Sequence, residues 1–248
     1  MTQPIAYCGV PPTPADLMGA WNLDPLLLAG LALLAWAVAR RAVRPGLAWA
    51  GWVLAVIVFV SPLCNLTSAL FSVRVLHHVA LTAAIAPLMV AGFGLHRLPI
   101  LAGGAMAAAL AHAGAMWLWH APGPYAWALG NVPGYWLMQA TLAGTAIWLW
   151  AAILGPDRGA SIMAAGASFL QMGLLGAVIV FAASPLYGAH LLTTEAWGID
   201  PLTDQRLAGL LMWVPAAGPY MAAILIGVAR LLAEDAASDA ATASGRAA

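Results

Sequence analysis

Residues 73–94 read VRVLHHVALTAAIAPLMVAGFG, and beyond Arg74, His77 and His78 this stretch carries no ionisable side chain. As a helix it rises about 33 Å, enough to cross the roughly 30 Å hydrocarbon core of a bilayer. A transmembrane strand would show segments of about ten residues alternating apolar and polar. Here every face is apolar, so the stretch reads as a membrane-spanning helix. Working outward, similar runs bounded by charge, Pro or Gly fall at 25–43, 46–63, 98–120, 133–154, 160–183 and 206–232. The expected fold is an all-α integral membrane protein, a bundle of seven transmembrane helices over 25–232. A short extracytoplasmic segment, 1–24, precedes it. A cytoplasmic tail, 233–248, rich in Ala, Ser, Asp and Glu, follows and is expected to be disordered.

Composition supports this class. The 248 residues are 63% hydrophobic and 7% charged, too apolar for a water-soluble surface and too few for a separate extramembrane domain. Nine acidic residues balance nine basic ones, all arginine, which excludes the cationic face that nucleic acid requires. With seven spans, Arg40, Arg41, Arg44, Arg97, Arg158, Arg230 and Arg246 fall on one side, and Arg74 and Arg206 on the other. The positive-inside rule then puts the N-terminus outside and the C-terminus in the cytoplasm. Only Asp16 is charged before the first apolar run, unlike a signal peptide, so that run is kept as a span.

Trp21, Trp117, Trp119, Trp127 and Trp136 gather toward the expected outer interface, and Trp49, Trp52, Trp148 and Trp150 toward the inner one. Ala140 and Gly144 have the spacing that lets helices approach closely. Pro87 and Pro215, inside spans, each remove a backbone donor and should bend the helix. Cys8 and Cys64 have no C-x-x-C spacing, and a disulfide between them is left open.

His112, Met116 and His120 recur every four residues and form one stripe on a helix. His77 and His78 lie near the outer end of the preceding span, level with His120. Imidazole with thioether or thiolate suits copper better than magnesium or calcium, so these residues form a candidate copper site. His112, Met116 and Cys64 are second-tier ligands, and His112, lying deeper, would otherwise pair with Gln139 or Gln171. The competing reading makes the same histidines plain hydrogen-bonding residues, with His77 and His78 pointing about 100° apart. Asp24 and Asp204 stand where a helix N-cap, or a carboxylate partner for Arg74 or Arg206, would stand. No nucleophilic triad, phosphate loop or zinc-protease motif is present, so the chain is not expected to be an enzyme.

Several stretches carry a resemblance: Trp21-Asn-Leu-Asp24-Pro25, Ser61-Pro-Leu-Cys64, Ala69-Leu-Phe-Ser-Val-Arg74-Val-Leu-His77-His78, Trp119-His120-Ala-Pro-Gly-Pro-Tyr125, and Asp204-Gln-Arg-Leu-Ala-Gly-Leu-Leu-Met212-Trp213-Val-Pro215. In order and spacing the chain resembles the multi-spanning CtaG family of cytochrome c oxidase assembly proteins, as distinct from a single-span copper chaperone that shares the name. The resemblance implies a multi-pass protein of the bacterial plasma membrane that assists copper delivery or subunit maturation of a haem-copper oxidase at the outer face. Its partners would be oxidase subunits or copper chaperones. Many members carry further histidines where this chain has Tyr135-Trp136-Leu137-Met138-Gln139, with Met138 the one soft replacement. Two other functions stay open on the residues: a haem-binding electron carrier, and a transporter of copper or a small solute.

Overall fold

The structure is a computed structural model that describes residues 6–246. Among these residues it is helical, with no strand. Helix α1, Pro25–Arg41, begins at Asp24, whose carboxylate accepts from the Leu26 and Leu27 N–H groups at 2.7 and 3.2 Å. Arg40 and Arg41 close it at the negative end of the helix dipole. Helix α2, Pro45–Val60, follows, and the turn between them is held where Val43 and Arg44 N–H both donate to the Gly92 carbonyl. Ser61-Pro62 then starts α3, Pro62–Ala69, at a 51° bend.

Helix α4, Phe71–Phe93, is the most enclosed of the long apolar helices and packs against α2 and two later helices, α7 and α9, defined below. Its middle, Ala80–Ile85, is π-helical. Pro87 has no N–H, so the Thr82 carbonyl lacks its partner five residues on. The Trp150 indole fills that place, donating to it at 2.8 Å. Pro87 is thus absorbed by a wider turn rather than by a sharp kink.

After a single turn, Pro99–Ala102, come α5, Ala105–His120, and α6, Pro122–Leu129. Then follow α7, Val132–Ile153, α8, Arg158–Val180, α9, Pro201–Trp213, and α10, Ala217–Arg246. A turn around Pro215 separates α9 from α10, where the sequence predicts a bend. Helix α10 continues through the stretch from 233 onward for which composition predicts disorder.

The expected seven membrane spans are not found. Among the described residues, four helices are long and apolar enough to cross a membrane: α4, α7, α8 and the stretch Pro201–Glu234. They become five if the bent pair α2–α3 counts as one span. Helix α1 has 17 residues and α5 has 16, about 25 Å each; α1 stops at Arg41, and α5 starts late because Gly103 and Gly104 interrupt the apolar run 98–120. A run of apolar residues does not show where its helix breaks. The orientation of the termini was argued from the parity of seven spans, so that argument falls with the count.

Close helix crossings also lie elsewhere than expected. Gly144 has nothing within 4 Å of where a Cβ would stand. A Cβ on Gly92 would lie 2.8 Å from the Ala48 backbone, and one on Gly176 would lie 2.8 Å from the Gly209 carbonyl. These glycines let α4 meet α2, and α8 meet α9, backbone to backbone.

Candidate functional site

The site starts from the first two turns of α4. The Asp204 carboxylate, reaching over from α9, accepts from Phe71 N–H at 2.7 Å, from Ser72 N–H at 3.2 Å and from the Ser72 hydroxyl. A helix has no acceptors of its own for its first N–H groups, so Asp204 supplies them and locks the start of α4. It pairs with neither Arg74 nor Arg206, as the sequence had allowed; it caps a helix from a neighbouring one.

The next turn carries Arg74, His77 and His78, all fully buried. His78 faces α5, with its ring centroid 5.4 Å from that of His120. His77 faces α2, its ring edge-on to Phe59 at 4.7 Å and its centroid 6.0 Å from His78. The two neighbours thus point to different helices. His120 Nδ1–H donates to the Met116 carbonyl at 2.7 Å, which leaves the Nε2 lone pair free. That atom and both ring nitrogens of His77 and His78 have no hydrogen-bond partner.

A metal bound to imidazole nitrogens at about 2.0–2.1 Å puts each ring centroid roughly 3.2 Å away, and two such rings about 5–6 Å apart. The His78–His120 separation of 5.4 Å lies within that range, with the two rings nearly perpendicular. A larger cage is not formed: among the described residues no group of three or more His, Cys, Asp or Glu is arranged to hold a metal ion.

The remaining candidates divide. His112 meets Thr145 at 3.0 Å, not Gln139 or Gln171 as expected. The Thr145 hydroxyl donates to the Thr141 carbonyl at 2.7 Å, so His112 is the donor and its Nε2 stays free. Met116 is buried between His112 and His120, and Met138 is buried on α7. Cys64 is joined to Cys8 by a disulfide, so its sulfur is not a thiolate ligand.

Arg74 has no partner on any of its three nitrogens, and its guanidinium carbon stands 5.4 Å from the Tyr135 ring centroid. Among the described residues the one ion pair is Arg158 with Glu234, at 3.7 Å and far away. The expected carboxylate partner for Arg74 is absent.

Over this end of the bundle lies the segment 186–193, which sequence reasoning left undescribed except for His190. The Tyr187 hydroxyl donates to the His120 carbonyl at 2.8 Å, and its ring stacks on Phe71 at 3.7 Å. Burial, and then the charge of Arg74, holds the His190 imidazole down at about 4. Neutral His190 donates Nδ1–H to the Ala69 carbonyl at 3.3 Å and accepts the Tyr125 hydroxyl at 2.7 Å. Burial pushes that tyrosine's ionisation upward. Tyr125 stands five residues after His120 in a Pro-Gly-Pro turn, the only sequence signal that it returns to the site.

Beside the site, a cavity of about 620 Å³ opens between α1, α2, α4 and α7. Phe59 lines it and separates it from His77, and Gln139, with an unpartnered amide, is its polar group.

A family model described as cytochrome c oxidase caa3 assembly factor (Caa3_CtaG) matches residues 28–234. No curated protein and no solved structure matches the chain.

Proposed function

Since the chain belongs to the caa3 cytochrome c oxidase assembly factor family, we propose that it matures a haem-copper oxidase in the bacterial plasma membrane by holding a cuprous ion for transfer. The observation that carries this is the His78–His120 pair, 5.4 Å between ring centroids, with His120 Nε2 and both His78 ring nitrogens free of hydrogen-bond partners. The ion is cargo, not a resident cofactor, and the chain assembles rather than catalyses.

Two imidazoles suit a carrier because an open ligand set can be exchanged, whereas a closed four-ligand cage holds its metal. His77, one position away and turned toward Phe59, is the relay ligand. His112 and Met116 continue the stripe inward along α5.

Transfer takes place on the outer face. The Cys8–Cys64 disulfide lies at the same end of the bundle as the histidine pair, and disulfides persist where the cytosol's reductants do not reach. Partners there are oxidase subunits or soluble copper chaperones. A haem sandwiched by His78 and His120 is disfavoured, since a macrocycle would have to lie between rings whose centroids stand only 5.4 Å apart.

The test is copper content and visible absorbance of detergent-purified protein reconstituted with cuprous ion. Wild type is expected to hold about one ion per chain without a Soret band. A protein with His77, His78 and His120 all replaced by alanine is expected to hold none. In cells, unchanged oxidase copper content and activity with that triple variant would sink the proposal.

A further inference from the structure

We infer that Arg74 is the binding group for a small monovalent anion, of halide or formate size, enclosed beside the histidines. This goes beyond copper handling and does not depend on it. An arginine side chain stays protonated in any protein environment. Arg74 is fully buried, all three guanidinium nitrogens lack partners, and no carboxylate among the described residues lies within ion-pair distance. The carboxylate on the neighbouring helix, Asp204, already spends its oxygens on Phe71 and Ser72. A buried charge left without a counter-charge is among the most destabilising arrangements in a protein, so a counter-ion is expected.

The surroundings set its kind. Phe71, Tyr125 and Tyr135 are each at most 1% exposed, which leaves no route for a large ligand. One guanidinium balances one negative charge. The Tyr125 hydroxyl is committed to His190, and the Tyr135 hydroxyl reaches Cys8 Sγ at 3.6 Å. Both hydroxyls also neighbour the Arg74 guanidinium, but neither carries a charge that balances it; the donors left for an anion are the guanidinium N–H groups, with the unpartnered ring nitrogens of His77 and His78 nearby. Such a set suits a compact, weakly directional anion.

The experiment measures thermal unfolding of the purified, metal-free full chain in detergent at constant ionic strength, replacing gluconate stepwise with chloride, bromide or formate. Wild type is expected to gain about 3 °C with a saturable midpoint for at least one of the three; chloride or bromide acting alone identifies a halide, formate acting alone a carboxylate. Arg74→Gln, which removes the charge, is expected to lose that response and to match or exceed wild type in gluconate. Arg74→Lys, which keeps the charge, is expected to keep the response with a midpoint shifted several-fold upward, and it serves if the glutamine variant does not fold. A wild type that responds to none of the three, or an unchanged midpoint in Arg74→Gln or Arg74→Lys, overturns the inference.

Discussion

Two successive turns of α4 treat their polar groups in opposite ways. In the first, Asp204 satisfies Phe71 and Ser72 completely. In the second, Arg74, His77 and His78 are equally buried and bond to nothing. Buried polar groups in native proteins are almost always paired. The contrast teaches that a saturated turn can fix a helix while the next one leaves its buried nitrogens open, which is why the proposed roles of Arg74, His77 and His78 are worth testing.

The largest way to break this contrast is to open the closed turn. Asp204→Ala strands two backbone donors and a hydroxyl, and is expected to cost about 3–5 kcal/mol, read as a fall in thermal unfolding temperature and in membrane accumulation. Next comes the segment above the site. His190 sits at about 4 when folded and near 6.5 when unfolded, so the unfolded chain binds the extra proton between those pH values. Its contribution is intact above about pH 6.5 and falls away as pH drops toward 4, by up to about 3 kcal/mol. His190→Gln should flatten that part of the stability-pH profile relative to wild type.

Within the open turn, single changes sharpen the roles. His78→Ala or His120→Ala is expected to weaken cuprous binding by at least about tenfold, against a smaller loss for His77→Ala, read by competition with a chromogenic cuprous chelator. Equal losses at all three would replace the pair with a three-ligand site. The smallest effect is far from the contrast: Asp24→Ala removes the α1 cap and should cost about 0.5–1 kcal/mol without changing copper content.

Much of this was legible in the residues. The all-α class followed from apolar runs, the family from the ordered motifs, and the convergence of α4 with α5 from the placing of His78 and His120. Span number was not legible, because Gly103-Gly104 and Ser61-Pro62 break helices inside runs that stay apolar throughout. The partners of polar groups were illegible for a related reason. Asp204 and Arg74 have opposite charge and fit a pair on paper, yet the backbone of Phe71 and Ser72 outbid the guanidinium for the carboxylate. Nothing local to Trp150 signals that its indole completes the hydrogen bonding of Thr82, two helices away in sequence.

The π-helical stretch Ala80–Ile85 has a consequence for how this chain tolerates change in length. A π-turn holds one more residue than the α-turn it replaces. Deleting one residue there would restore regular winding and leave the Arg74–His78 half of α4 in nearly the same rotational phase as the Pro87 half, whereas a deletion in the regular winding on either side would swing it by about 100°. The meeting of His78 with His120 is thus buffered against a single-codon deletion among the alanines of this silent, apolar segment, which gives up its spare residue and keeps the site in register.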